Sequence, residues 1–213
     1  MKITKLGHCC LLVKEKELNI LTDPGAYSTE QNSLKGIDVV LITHEHQDHC
    51  HIESVKKILT NNPNAKIITN KGVAKILENE GIEYELLEHG QNKKFKNVLI
   101  EGFGEKHAEM YHGIPLANNT GYFIAGRLFY PGDSFFNLGK QVEILALPVA
   151  GPWMKLSEAI NYTKELKPKI CFPVHDGMLQ TDKLGPAHSL PKKILSEFEI
   201  EFLSIENGKE IEL

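Results

Sequence analysis

Residues 38–51 read Asp38-Val39-Val40-Leu41-Ile42-Thr43-His44-Glu45-His46-Gln47-Asp48-His49-Cys50-His51. The β-branched run between polar neighbours predicts a short buried strand, and it ends where His44, His46, Asp48 and His49 crowd into six positions. Just downstream, Ile52, Val55, Ile58 and Leu59 share one helical face, so the histidine loop is expected to be clamped between a strand and a helix. In an extended or turning segment His44 and His46 project from the same side, and both imidazoles can reach one cation. Asp48 and His49 point past it. Imidazole nitrogen and carboxylate oxygen ligate zinc at roughly 2.0–2.2 Å, so a second ion can sit beside the first. A solvated histidine-rich surface loop is the plain alternative, but His-x-His-x-Asp-His straight after an apolar strand is far more specific than a pair of histidines.

The 213 residues (23.9 kDa) suit one compact domain spanning residues 1–213. No apolar run approaches the roughly 18–20 residues that a membrane span needs, so no membrane association is expected. The opening Met1-Lys2-Ile3-Thr4-Lys5-Leu6-Gly7-His8 lacks the apolar core of a signal peptide, and the expectation is a cytoplasmic protein. Four cysteines without a CxxC pair are expected to be reduced, with Cys50 and Cys171 as small buried residues. A net charge of -4 and a pI near 6.2 give no general basic surface, so a small-molecule substrate is expected and nucleic acid is not. Lys93, Lys94 and Lys96 read as the solvated end of a strand. The oligomeric state is not legible.

Working outward, strands are expected over residues 3–6, 9–13 and 18–22, a meander closing at Asp23-Pro24-Gly25. A polar loop leads to the 38–42 strand. Beyond the histidine loop come a strand at 66–69, a helix at 72–79 and a strand at 83–88. The pattern then repeats: strands at 98–103, 121–125 and 128–130, a buried strand at 143–147, a helix at 156–166 stopped by Lys167-Pro168, and a strand at 170–174. A helix around 190–198, a strand at 200–205 and a hairpin-like turn at Asn207-Gly208 before 211–213 finish the chain. This doubled order predicts an α/β protein with two sheets packed face to face and helices on both outer faces.

Further ligands must come from other strand ends. His107 follows the 98–103 strand, Asp133 ends Leu128-Phe129-Tyr130-Pro131-Gly132-Asp133, and His175 ends Ile170-Cys171-Phe172-Pro173-Val174-His175. Each alone reads as a turn, packing or surface residue; together they complete two coordination spheres. One ion is assigned His44, His46 and His107, the other Asp48, His49 and His175, with Asp133 bridging. His112 is the rival to His107, which lies closer to its strand end. Two ions sharing a carboxylate and a water would sit roughly 3.5–4 Å apart, with the bridging hydroxide formed near neutral pH as the nucleophile. Asp23 is a candidate to orient a ligand histidine through its distal N–H. Asp176 reads as a supporting residue or a turn, and Trp153 as a pocket wall or core; Tyr111 and His112 are candidates for lining the cleft.

These motifs, in this chain order, resemble the metal-binding motifs of the metallo-β-lactamase superfamily over nearly the full length. Leu6-Gly7-His8-Cys9-Cys10-Leu11-Leu12 and Leu21-Thr22-Asp23-Pro24-Gly25 are similar to the branch that includes ascorbate-6-phosphate lactonase and related metal-dependent hydrolases. The resemblance implies a four-layer αββα sandwich with a dinuclear site on one edge and His8 near it. The expected activity is metal-dependent hydrolysis of an ester, lactone or phosphodiester bond in a small molecule, using two divalent ions. Zinc is the first choice, and manganese or iron also suit an N/O set. Asp48 or His8 is the candidate to return a proton. A nuclease of the same superfamily and a non-enzymatic metal-binding or sensor protein are the alternatives. Substrate choice should lie in loops 26–35, 109–119 and 151–155, where Tyr27, Tyr111 and Trp153 offer apolar surface and Lys155 a partner for one phosphate or carboxylate.

Overall fold

The computed structural model describes residues 1–213, the side chain of Thr181 excepted. Strands β1 (Lys2–Gly7), β2 (Cys10–Glu15) and β3 (Leu18–Thr22) form an antiparallel meander. The sheet then continues in parallel through β4 (Val39–Leu41), α1 (Ile52–Asn61), β5 (Lys66–Thr69), α2 (Lys71–Asn79) and β6 (Glu85–Leu86). The second half repeats the plan. Strands β7 (Asn92–Phe95), β8 (Val98–Phe103), β9 (Gly121–Ile124) and β10 (Leu128–Tyr130) are antiparallel. After them β11 (Ile144–Pro148), α3 (Leu156–Leu166), β12 (Ile170–Val174), α4 (Gly185–Ser196) and β13 (Glu201–Phe202) add parallel strands. The last strand, β14 (Glu210–Glu212), returns to the first sheet. Each sheet has seven strands, in the orders β14-β1-β2-β3-β4-β5-β6 and β13-β12-β11-β10-β9-β8-β7.

The period-two alternation of the strands decides the layers. Val39 and Leu41 of β4 point into the central core, where Ile3, Leu11, Ile20 and Ile68 meet Ile100, Tyr122, Leu128, Tyr130 and Phe172 of the opposite sheet. Val40 and the following Ile42 point outward onto Val55 and Ile58 of α1 and Val73 and Leu77 of α2. In the second sheet Phe129, Leu145, Leu147 and Cys171 face outward onto Ala159, Ile160, Leu166 and Leu195 of α3 and α4. The result is the four-layer αββα sandwich, with one shared core and two outer ones. Cys50 and Cys171 are buried in the outer layers, as free thiols.

Several expected boundaries shift. The strand expected at 83–88 is only Glu85–Leu86, and that at 200–205 only Glu201–Phe202. The last helix begins at Gly185 rather than near 190, because Pro186 occupies its first turn, where a missing N–H leaves no bond unmade. Lys93 and Lys94 belong to a separate edge strand, β7. The hairpin expected at Asn207-Gly208 is absent: β14 pairs antiparallel with β1 at the far end of the chain, matching Ile3 to Ile211, while β13 lies in the other sheet. Asn207-Gly208 therefore turns between the two sheets.

Candidate metal centre

All the candidate residues sit just beyond strand ends on one edge of the sandwich. The loop after β4 carries His44, His46, Asp48 and His49; β8 leads to His107, β10 to Asp133 and β12 to His175. Sheet pairing continues into the site, since Thr120 N–H donates to the Thr43 carbonyl (3.0 Å) and Ala108 N–H to that of Asp133 (2.8 Å). His8, Asp23 and His175 adopt left-handed backbone, with φ of 49°, 34° and 60°. Such conformations are disfavoured for residues with a Cβ and persist where surrounding contacts enforce them, as often happens at functional sites.

The ring nitrogens can be assigned from their partners. Asp23, fully buried, accepts from His49 Nδ1 (2.7 Å), Thr43 Oγ1 (2.7 Å) and the Tyr130 hydroxyl (2.5 Å). With its proton given to Asp23, Thr43 Oγ1 accepts from His44 Nδ1 (3.0 Å). His107 Nδ1 donates to the Ala108 carbonyl (2.6 Å). Each of these bonds leaves Nε2 free to face the site. His46 turns Nδ1 inward, 3.1 Å from His44 Nε2.

The facing atoms converge on Asp133. Its Oδ2 lies 2.9 Å from His175 Nε2 and 3.3 Å from His107 Nε2, and its Oδ1 lies 3.2 Å from His49 Nε2. Yet His49 Nε2, His175 Nε2 and Asp133 Oδ1 are buried without a hydrogen-bond partner among the described residues. Leaving one such atom unsatisfied costs about 1–3 kcal/mol. Clustered lone pairs around a carboxylate are what a cation satisfies, and the donor set of imidazole and carboxylate fits a divalent transition ion. The ligand atoms of His44, His46 and His107 lie within 4.8 Å of one another, as do those of His44, His49 and Asp133. Burial opposes charge on Asp133, but the surrounding imidazoles, His49 foremost, hold its carboxyl well below the usual range.

Asp48 is the most accessible carboxylate of the group. Its Oδ2 lies 3.5 Å from His175 Nε2, 3.7 Å from His49 Nε2 and 3.1 Å from His8 Nε2. Gly177 N–H donates to His8 Nδ1 (3.1 Å), so the His8 proton resides on Nε2 and points at Asp48. Behind this pair lies a contact that sequence reading does not reveal: Lys5, buried in β1, grips both oxygens of Asp176 at 2.7 and 2.6 Å, and His188 Nε2 adds a bond of 2.9 Å. Burial would raise the Asp176 pKa; the His188 bond and the Lys5 charge outweigh it and lower it. Asp176 thus anchors the segment after His175. Cys9, likewise unmarked by any spacing signal, places its sulfur beside His8, His49 and His175, all ligand atoms within 4.8 Å. Gly25 is needed for close approach, since a Cβ there would meet the Asp48 carbonyl oxygen at 1.7 Å. Sequence shows Gly25 only as part of a turn.

Around the site, Trp153 is buried with its ring centroid 5.7 Å from His107 and 5.8 Å from His175. Lys155 is exposed at the start of α3, its N–H bonded to Glu158 (2.7 Å). Tyr27 packs 5.0 Å from His8. His112 is fully exposed and pairs with Glu109 at 3.5 Å, whereas His107 is buried in the cluster. Neither Tyr111 nor His112 borders the cleft beside the site. That cleft, about 300 Å³, is lined by Glu45, His46, His107, Ala108, Met110, Ile114, Pro115, Leu116 and Ala117. A larger cavity of about 420 Å³ lies on the side of His8 near Tyr27, Asp176 and His188. Among the described residues no helix is long and apolar enough to cross a membrane.

A model of the beta-lactamase superfamily domain matches residues 2–175. A Mycobacterium tuberculosis protein is 32% identical to the chain, covering 87% of it and 88% of its own length. A Thermoplasma acidophilum protein named a metal-dependent hydrolase is 27% identical, covering 82% and 83%. The solved structure of a metallo hydrolase from the archaeon Ignicoccus hospitalis superposes with a TM-score of 0.77 at 22% identity, covering 100% of this chain and 98% of that one, a likeness of fold.

Proposed function

The chain belongs to the beta-lactamase superfamily, and from that premise we propose that residues 1–213 form one metal-dependent hydrolase unit cleaving an ester, lactone or phosphodiester bond in a small molecule. The observation that carries this reading is the set of buried, unpartnered atoms His49 Nε2, His175 Nε2 and Asp133 Oδ1 around one point. In this reading His44, His46 and His107 would hold one ion and Asp48, His49 and His175 another, with the Asp133 carboxylate reaching both sets. Divalent ions bound there, zinc first and manganese or iron also suited, supply Lewis acidity and activate water near neutral pH.

The chain's own residues contribute orientation and proton control. Asp23 holds His49 directly, and His44 through Thr43, in the tautomers that aim Nε2 into the site. Trp153 and Phe135, with ring centroids 5.3 Å apart, help exclude water from the His107 and His175 side. His8 keeps its proton on Nε2 against Asp48 Oδ2, because the Gly177 N–H occupies Nδ1 and leaves no seat for a second. That shared proton is the one placed to return to a leaving oxygen, with His8 and Asp48 as its carriers.

Metal analysis of the purified protein, followed by a panel of esters, lactones and phosphodiesters offered to apo and reloaded samples, tests the reading. Turnover that appears only on reloading supports it. A fully loaded protein inert toward all three classes overturns it.

A further inference from the structure

Met110, Ile114 and Leu116 are large apolar side chains left 43%, 50% and 41% exposed, although they lie within one loop. They line the cleft of about 300 Å³ whose inner wall is His46 and His107. Contiguous exposed apolar surface of this kind marks a binding site, and here the surface leads directly to the candidate metal centre. Among the described residues no lysine or arginine lines the cleft. Its one carboxylate, Glu45, backs onto Gly72, where an added Cβ would meet Glu45 Oε2 at 2.5 Å. A charged group seated on this apolar lining would find no cationic side chain of the cleft to pair with, so the part of the substrate that rests there is uncharged. At about 30 Å³ for each water-sized group, the space holds roughly ten non-hydrogen atoms.

We propose that this cleft receives the apolar acyl or alkyl chain of an uncharged ester or lactone, roughly six to ten carbons long, with the scissile carbonyl toward His46 and His107. The chemistry of the proposal rests on the hydrolase reading; the binding of the chain does not.

Two measurements on the metal-loaded protein separate the inference from the hydrolase reading. The first follows kcat/KM over p-nitrophenyl esters from acetyl to decanoyl. The expected result is a rise of roughly two- to fourfold per methylene, the upper figure corresponding to full burial of a CH2. Leu116→Asp and, as a second variant, Ile114→Asp should flatten the dependence with metal content unchanged; both positions are partly exposed, so the fold should tolerate them. The second measurement needs no turnover. Trp153 is the only tryptophan and its ring lies 5.7 Å from His107, so its fluorescence should respond saturably to octanol, much less to butanol, and less to octanol in Leu116→Asp. If octanol binds in this way and no ester, lactone or phosphodiester is cleaved, the cleft stands and the hydrolase reading falls. Ester cleavage without chain-length dependence, or a fluorescence response indifferent to chain length or to Leu116→Asp, overturns the inference.

Discussion

Asp23 shows how much of the site depends on a residue that faces away from it. Its carboxylate accepts from His49, Thr43 and Tyr130, so one buried charge fixes two imidazoles and a hydroxyl from the opposite sheet. Asn in its place keeps the shape but presents an amide, one end of which donates where an acceptor is needed. Asp23→Asn should therefore weaken metal affinity by roughly 10–100-fold, the usual effect of losing such a supporting partner, as read by competition with a chromogenic chelator. His46→Ala should lower metal occupancy, because the His44, His46 and His107 group loses one of its donors. His112→Ala should leave occupancy unchanged, since that side chain is fully exposed; a fall comparable to that of His46→Ala would mean the 105–112 loop is arranged otherwise.

At the scale of the elements, the strand-end rule made most of the site legible. A ligand-type residue directly after an apolar run is visible in one sequence, and the structure places His44, His107, Asp133 and His175 at such ends. The elements β4, β5, β8, β12 and α3 are equally plain, the strands as short apolar runs bounded by polar or turn residues and α3 as a helix stopped by Lys167-Pro168. What a strand's own pattern does not hold is the identity of its partner, which is why β14 was expected beside its sequence neighbour and not beside β1. The same blindness hid Lys5, which meets Asp176 across 171 positions. A lysine in a strand reads as solvent-facing until the partner is known. Lys5→Met should strand the buried Asp176 carboxylate and lower stability by about 3–5 kcal/mol, the usual effect of breaking a buried pair from one side. Denaturant unfolding of the metal-free protein checks this without interference from binding, and Lys5→Met combined with Asp176→Leu should recover part of the loss. A single variant as stable as the parent would show that the pair is dispensable to the fold.

Viewed whole, the molecule is one plan used twice, and the candidate site lies where the two copies meet. His44, His46, Asp48 and His49 come from the first sheet; His107, Asp133 and His175 come from the second. The central core already joins the sheets through Tyr122, whose hydroxyl donates to the Ile42 carbonyl at 2.9 Å, and through Tyr130. At the edge, by contrast, the two sheets present imidazoles and carboxylates with unsatisfied buried atoms. Ions bound there would tie the sheets together exactly where apolar packing gives out. Removing them with a chelator should lower thermal stability, by about 2.7 kcal/mol relative to protein held at a hundred times the dissociation constant, because only the folded site binds. Hydrogen exchange locates the effect: amides of residues 43–50, 105–108, 133–134 and 175–177 should lose protection together on chelation, while β1, β2, β9 and β10 keep theirs. Loss confined to one sheet's loops would mean that the other sheet contributes no ligand, and the assignment of a site shared between the halves would fail.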